Sequence, residues 1–199
     1  GFVHLHTHTE YSMLDGAARL DDLFEACHAQ GMDSLATTDH GFVFGAYDFW
    51  SRANKAGIKP IIGVEAYLTP GTHRTDRSRV RWGDGSRDDV SGGGAYTHMT
   101  MWSETTQGMH NLFRISSRSS MEGYYFKPRM DRELLQTYGK GLIATTGCPS
   151  GEVQTRLRLG QYEEAVKAAG EKAARSTCHG DSRGSTPGAE PMVSTPARS

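Results

Sequence analysis

The chain has 199 residues, with 22 lysines and arginines against 23 aspartates and glutamates and 36% hydrophobic residues. This length suits one domain with a buried core, and the formal charge of −1 excludes a strongly basic module that binds nucleic acid by bulk electrostatics. Three widely spaced cysteines indicate a reducing compartment, and no apolar run approaches the roughly 18 residues of a membrane span, so a cytoplasmic protein without a membrane partner is expected.

The first third of the chain alternates strand-like and helix-like patterns. Residues 2–6 alternate in polarity and predict a strand, and residues 20–30 repeat apolar side chains at helical spacing. Residues 34–38 predict a second short strand, and residues 46–56 predict a second helix. Residues 60–68 form an apolar, β-branched segment that predicts a buried strand.

The same alternation resumes after one long interruption. Residues 71–95, which are rich in glycine, arginine and aspartate, predict an extended loop with no role in the core. Strands are predicted at 96–102 and 141–146, followed by helices near 112–115 and at 152–159, respectively. Strands alternating with helices indicate βα units and therefore an α/β fold with a mostly parallel sheet or barrel.

The C-terminal segment differs in composition from the rest. Residues 171–199 contain no leucine, isoleucine, phenylalanine, tryptophan or tyrosine, so they cannot bury enough apolar surface to offset the entropy of ordering. We expect a disordered tail outside the native fold. Because a helical pattern at 161–170 runs into this tail without a clear stop signal, a truncated or frameshifted chain is a further hypothesis.

Three histidines near the start of the chain predict a metal site. His4, His6 and His8 alternate in an extended segment, so their side chains share one face. The same pattern also fits polar side chains on a solvated face. Further candidates stand in or just after the later strands: Asp39, His40, Glu65, His98 and Cys148.

The chemistry of this set favours a metal centre. Glu65 interrupts an apolar strand, and a buried lone carboxylate is costly unless it is paired or bound to a cation. The carboxyl ends of strands are where β/α barrels build their active sites. Imidazole, carboxylate and thiol together suit zinc or another first-row divalent ion, whereas unrelated histidines and a helix-capping aspartate are the alternative.

Several motifs in this order resemble the PHP (polymerase and histidinol phosphatase) domains at the N-terminus of bacterial DNA polymerase III alpha subunits, in an actinobacterial form. The resemblance implies a distorted, TIM-like (β/α)7 barrel, here incomplete at its C-terminal side, with residues 1–170 as a partial PHP domain. The motifs are VHLHTHTEYSMLDG at 3–16, TDHG at 38–41, PIIGVEAY at 60–67, YTH at 96–98 and TGCPSGEVQTR at 146–156.

The resemblance also implies a set of metal ligands, carried over by motif position. Asp39 would not bind metal itself but would orient the ligand His40. His4 would not be a ligand. Two further family ligands, an Asp-x-His pair, are expected beyond residue 199, and Cys178, His179 and Asp181 do not have that spacing. The implied ligands in this chain are His6, His8, Asp15, His40, Glu65, His98 and Cys148.

Family membership would imply a phosphoesterase that acts as a proofreading 3′-5′ exonuclease on the primer 3′ end of DNA. Up to three zinc or manganese ions would activate water, whereas magnesium would serve a polymerase site that this chain lacks. In the full-length protein the partners would be the polymerase core, the sliding clamp and other holoenzyme subunits. We expect this chain alone to be poorly stable, unable to polymerise DNA, and weak or inactive as an exonuclease.

Two other functions remain open from the sequence. One is a stand-alone PHP phosphatase of the histidinol-phosphate type, and the other is a non-catalytic scaffold for the polymerase. The loop after residue 70 adds a possible DNA contact through arginines that track the backbone and a tryptophan that stacks on a base. A solvated loop explains these residues at least as well: Arg74, Arg77, Arg79, Arg81 and Trp82.

Overall fold

A computed structural model describes residues 1–85 and 89–176. A 3₁₀ helix spans Glu10–Asp15. The strands are β1 (Ser34–Thr37), β2 (Lys59–Leu68), β3 (Thr97–Ser103), β4 (Tyr124–Tyr125), β5 (Lys127–Met130) and β6 (Leu142–Ala144). The α-helices are α1 (Leu20–Ala29), α2 (Ala46–Lys55), α3 (Ser91–Gly94), α4 (Thr106–Gly123), α5 (Arg132–Tyr138), α6 (Glu152–Arg158) and α7 (Tyr162–Ser176).

The six strands form one mixed sheet around β2. Strands β1 and β5 pair with β2 in parallel, β3 pairs with β2 and β6 antiparallel, and β4 pairs with β5 antiparallel. The α/β class is confirmed, but the expectation of a mostly parallel sheet is wrong. A parallel return needs a crossover, usually a helix, and the part of the segment between β2 and β3 that the structure describes contains only the four-residue α3. Within the described residues the sheet is open, with β4 and β6 at its two ends.

The N-terminal segment lies beside β1 without forming a regular strand. The amide of Ala36 donates to the carbonyl of His4 over 3.0 Å, and the amide of Thr38 donates to the carbonyl of Thr7 over 2.9 Å. The predicted strand at 2–6 is therefore wrong, because only scattered hydrogen bonds hold this segment. They are nevertheless enough to fix the histidine-bearing segment next to the sheet.

The core lies between the sheet and helices α1, α2, α4 and α5. In α1, Leu20, Phe24 and Cys27 are all buried, so the helical spacing read from the sequence marks the face that packs inward. Burial of these apolar faces is the main favourable contribution to folding. None of the described helices is long and apolar enough to cross a membrane.

The segment at 71–95 takes part in the folded core, contrary to the prediction of a loop without a core role. Arg74 is only 4% exposed, and its guanidinium pairs with Glu122 at 2.6 Å and Asp131 at 3.0 Å. Arg129 is 1% exposed and donates to the carbonyls of Arg74 and Asp76. Because Arg74 is buried and paired, its assignment as a DNA contact is wrong.

Helix α7 continues past the boundary placed at residue 170. Glu171 accepts a hydrogen bond from Arg132 at 2.8 Å, and the helix reaches Ser176. The helix therefore runs six residues past residue 170, since alanine, lysine and glutamate are strong helix formers even without large apolar side chains. The rest of the predicted tail, 177–199, lies outside the described residues, together with Cys178, His179 and Asp181.

Candidate metal centre

The Glu65 carboxylate is the centre of the site. Glu65 lies in β2 and is only 3% exposed. One of its oxygens, Oε2, lies 2.7 Å from Nε2 of both His6 and His8. The other, Oε1, lies 2.5 Å from Nδ1 of His98 and 3.8 Å from Sγ of Cys148. The buried acid predicted from an apolar strand therefore has three imidazoles and a thiol around it.

A second part of the cluster joins Asp15 and His40. Asp15, at the end of the 3₁₀ helix, lies 2.6 Å through Oδ2 from Nε2 of His40. The imidazole of His40 packs edge-on against that of His8, with ring centroids 4.0 Å apart. All seven residues proposed as ligands thus meet in one place, whereas His4 packs against the Phe2 ring instead.

These residues form three overlapping trios whose donor atoms lie within 4.8 Å of one another. Glu65 belongs to two trios and presents a different oxygen to each, while His8 is also shared. Overlap of this kind is what a site for more than one ion requires. The trios are His6, His8 and Glu65; His8, Asp15 and His40; and Glu65, His98 and Cys148.

The donor set fits a divalent cation. Nδ1 of His40 is buried without a hydrogen-bond partner and lies 3.9 Å from Oε2 of Glu65, too far for a hydrogen bond. Buried polar atoms without partners are rare and call for an explanation. Imidazole nitrogens, carboxylate oxygens and a sulfur directed at one another are the ligand types that first-row divalent ions combine.

The charge states within the cluster also suit a cation. Burial raises the pKa of Glu65, but hydrogen bonds from the three imidazoles lower it more, so the net pKa lies well below its usual range. The hydrogen bond to Glu65 raises the pKa of His8, and burial lowers that of His40. Burial raises the pKa of the Cys148 thiol. At neutral pH Glu65 is therefore anionic and His40 is neutral.

Asp39 holds the loop that carries the first ligands. Its buried carboxylate accepts hydrogen bonds from the amide and hydroxyl of Thr9, at 2.6 and 2.9 Å, and from the hydroxyl of Ser12 at 2.7 Å. The Ser12 hydroxyl in turn accepts from the amide of His40 at 3.2 Å. The Asp39 carboxylate also accepts from the Thr37 hydroxyl and reaches His40 only through Ser12, so the expectation that Asp39 orients His40 from outside the ligand set stays a prediction.

A glycine allows Cys148 to reach the site. Gly147 has a φ of +88°, and a Cβ there would overlap the carbonyl of His98. The amide of His98 donates to the carbonyl of Ser150, so the turn that carries Cys148 lies directly against β3. Thiol and imidazole thereby come within 3.5 Å, Sγ to Nδ1.

Comparison with known families matches residues 4–175 to the PHP domain. The chain belongs to the PHP domain family. Its matched span covers the whole cluster and ends within α7, five residues beyond the boundary that the sequence suggested.

The PHP domain is also similar to curated polymerase subunits. DNA polymerase III subunit alpha from Saccharopolyspora erythraea is 58% identical over 177 residues, which cover 84% of this chain and 15% of that protein. The same subunit from Mycobacterium tuberculosis is 58% identical over 171 residues, covering 84% of this chain and 14% of that protein. The chain thus spans about 15% of the length of these relatives.

One solved structure among the similar folds is described as a metal-dependent phosphoesterase from Bifidobacterium adolescentis. It is 11% identical and covers 90% of this chain and 56% of that chain, with a TM-score of 0.34. At that TM-score it adds nothing to the assignment of the PHP domain, which rests on the family match.

The remaining predicted DNA contacts of the PHP domain differ in accessibility. Arg77, Arg79 and Arg81 are exposed. Trp82 is half-buried, and the guanidinium of Arg156 covers its ring at 3.7 Å from the centroid. That face of the indole cannot also stack on a base, so stacking of Trp82 on DNA stays a prediction for the opposite face alone.

Proposed function

We propose that this PHP domain is a metal-dependent phosphoesterase that removes nucleotides from the 3′ end of DNA. The buried Glu65 carboxylate, surrounded by imidazoles and a thiol, is the observation that carries the proposal. The similarity to DNA polymerase III alpha subunits supports DNA as the substrate, and a proofreading 3′-5′ exonuclease is the activity that would serve such a polymerase.

Up to three zinc or manganese ions would be held by the seven clustered residues. When bound, such ions activate water for attack on the phosphate and stabilise the leaving oxygen. Glu65 remains anionic because its pKa is lowered, so it offers two charged oxygens to different trios. His40 is neutral because burial lowers its pKa, which leaves the Nδ1 lone pair free to bind. Cys148 would contribute its sulfur as a thiolate.

The substrate and partners of the whole polymerase belong to this proposal as well. They are the primer 3′ end, the polymerase core with its own magnesium site, the sliding clamp and other holoenzyme subunits. Exposed Arg77, Arg79 and Arg81 would contact the DNA backbone. An Asp-x-His pair would complete the ligand set, so we expect the isolated chain to be poorly stable and to have weak or no exonuclease activity.

The proposal is tested by changing one ligand in a full-length DNA polymerase III alpha subunit that carries this domain. His8→Ala removes an imidazole shared by two trios, and we expect removal of a 3′-mismatched nucleotide to fall at least 100-fold while polymerisation continues. His4→Ala is the matched control, because His4 lies in the same segment but outside the cluster.

Two outcomes would favour the other functions. If proofreading survives His8→Ala unchanged, the domain is a scaffold for the polymerase. If the domain turns over a small phosphomonoester much faster than a DNA end, it is a phosphatase of the histidinol-phosphate type. Two or three tightly held ions per isolated chain, with hydrolysis of a mismatched primer, would overturn the expectation that the isolated chain is inactive.

A further inference from the structure

A cleft of about 450 Å³ opens beside the histidine cluster. Asp15, His40 and His98 of the cluster form part of its wall. The rest of the wall comes from residues outside the set of candidate ligands: Tyr11, Ser12, Met13, Phe42, Phe44, Tyr67, Tyr96 and Lys127. The volume is within the range of small-ligand sites, roughly 300–1,000 Å³.

The cleft has an aromatic wall that the fold leaves exposed. The rings of Phe42 and Phe44 stack with centroids 4.4 Å apart and an angle of 16° between their planes. Phe44 is 72% exposed, so it contributes little to the core. A pair of stacked rings at the edge of a polar cluster is a surface on which another flat ring can stack.

Met13 supplies an independent observation at the same wall. It is 78% exposed and has φ 58° and ψ −113°, a left-handed backbone conformation that a side chain other than glycine rarely adopts. Such strain persists where the surrounding structure imposes it, and it is concentrated at functional sites. Met13 lies in the 3₁₀ helix that Thr9 caps, two residues before the candidate ligand Asp15.

Lys127 adds a positive charge next to the cluster. Its ammonium lies 5.5 Å from the centre of the Tyr67 ring, and Tyr67 in turn stacks on His40 with ring centroids 6.0 Å apart. Among the lining residues that the structure describes, Lys127 carries the one lysine or arginine charge. The cleft therefore combines an apolar aromatic wall with a cation and the candidate metal ligands.

We propose that this cleft binds the terminal nucleotide of the substrate, with the base stacked on Phe44 beside Met13 and a phosphate paired with Lys127. The inference rests on the proposed function and deepens it. A ligand with a flat ring at one end and a phosphate at the other matches both parts of the wall. Because stacking uses the ring face and not the base edges, the subsite accepts all four bases.

The test uses the 199-residue chain and a single-stranded DNA oligonucleotide with 2-aminopurine at its 3′ end. A phosphorothioate at the last linkage slows hydrolysis. We expect binding to quench the 2-aminopurine fluorescence, and Phe44→Leu to remove the quenching and raise the Kd about tenfold. Phe113→Leu is the matched control, since Phe113 is 41% exposed on α4 and does not line the cleft.

Two further variants separate the parts of the subsite. Met13→Gly relieves the backbone strain and removes the side chain, so we expect weaker quenching without loss of thermal stability. Lys127→Gln is expected to raise the Kd severalfold for the 2-aminopurine oligonucleotide and equally for one that ends in an abasic site. Phe44→Leu should leave the Kd for the abasic oligonucleotide unchanged.

The inference is overturned if the oligonucleotide does not bind, if binding causes no quenching, or if Phe44→Leu binds as the unaltered chain does. It is also overturned if a full-length polymerase subunit shows no quenching, because another segment then covers the cleft. The same variants distinguish failure of this inference from failure of the proposed function. If His8→Ala loses exonuclease activity while Phe44→Leu keeps all of it, the proposed function stands and the nucleotide subsite does not.

Discussion

Individual residues could be predicted from the sequence where they contrast with their surroundings. Glu65 stands out as the one acid in an apolar strand, and His6 and His8 stand out by their alternation. Arg74 could not be assigned in this way, because its partners Glu122 and Asp131 lie 48 and 57 residues away. The exposed aromatic wall of the cleft could not be predicted either, because an exposed phenylalanine has no periodic sequence pattern that distinguishes it from a buried one.

The hydrogen bonds of Asp39 lead to a testable prediction about metal affinity. Asp39→Asn replaces an acceptor of several hydrogen bonds with an amide, which loosens the loop that carries Thr9 and Ser12. We expect zinc affinity, measured by competition with a chromophoric chelator, to fall about tenfold although Asp39 is not a ligand.

Asp33→Asn serves as the control, because Asp33 is exposed and accepts a hydrogen bond from the neighbouring Ser34 hydroxyl. Equal zinc affinities for Asp39→Asn and Asp33→Asn would show that the loop holds its position without the Asp39 carboxylate.

The elements with strong periodicity were predictable, and those defined by pairing were not. Helix α1 follows its apolar spacing, and β2 follows its run of β-branched residues. The direction of β3 depends on how the chain returns after residue 70, which local propensity does not encode. The segment at 2–6 has strand-like alternation, but the neighbouring β1 supplies only scattered hydrogen bonds to it.

Close packing of α4 gives a second prediction. A Cβ at Gly108 would overlap the carbonyl oxygen of Gly141, which precedes β6. We expect Gly108→Ala to lower the free energy of unfolding by about 2–3 kcal/mol in urea titrations, because backbone cannot shift cheaply.

Gly170→Ala is the matched control within a helix. A Cβ there meets no atom within 4 Å, so alanine is expected to stabilise α7 by up to about 1 kcal/mol. A Gly108→Ala chain as stable as the unaltered one would contradict the packing of α4 against this turn.

The start of α5 gives a prediction about pH. Asp131 is 2% exposed, caps α5 through the amide of Leu134 and pairs with Arg74. Burial raises its pKa, but hydrogen bonds from these two partners lower it more, so the net pKa lies below 3.8. Its stabilising effect is therefore complete above about pH 4 and is lost as the pH falls through the lower folded pKa.

Asp131→Asn should accordingly lose about 3 kcal/mol of stability at pH 7, with the difference from the unaltered chain shrinking below about pH 4. Urea titrations between pH 7 and pH 2 measure this difference. A gap that stays constant across that range would mean that the charge of Asp131 contributes nothing.

At the scale of the whole molecule, the family and the α/β class follow from the sequence because several motifs occur in a fixed order. The open, mixed sheet of the described residues arises from long-range pairing, which those motifs do not specify. Composition measures apolar content and therefore did not predict that α7 runs past residue 170, where helix propensity and the Arg132–Glu171 pair support the helix.

The convergence of seven residues from segments spread over the chain is the central feature of this molecule. Whether these residues bind metal is tested most directly by measuring the metal content of the purified 199-residue chain after loading with zinc or manganese and desalting. We predict at least one tightly held ion per chain, lost in Glu65→Gln and kept in the matched control Glu25→Gln, whose carboxylate is exposed on α1. A folded chain that stays metal-free, or a Glu65→Gln variant that keeps the full metal content, would contradict the account.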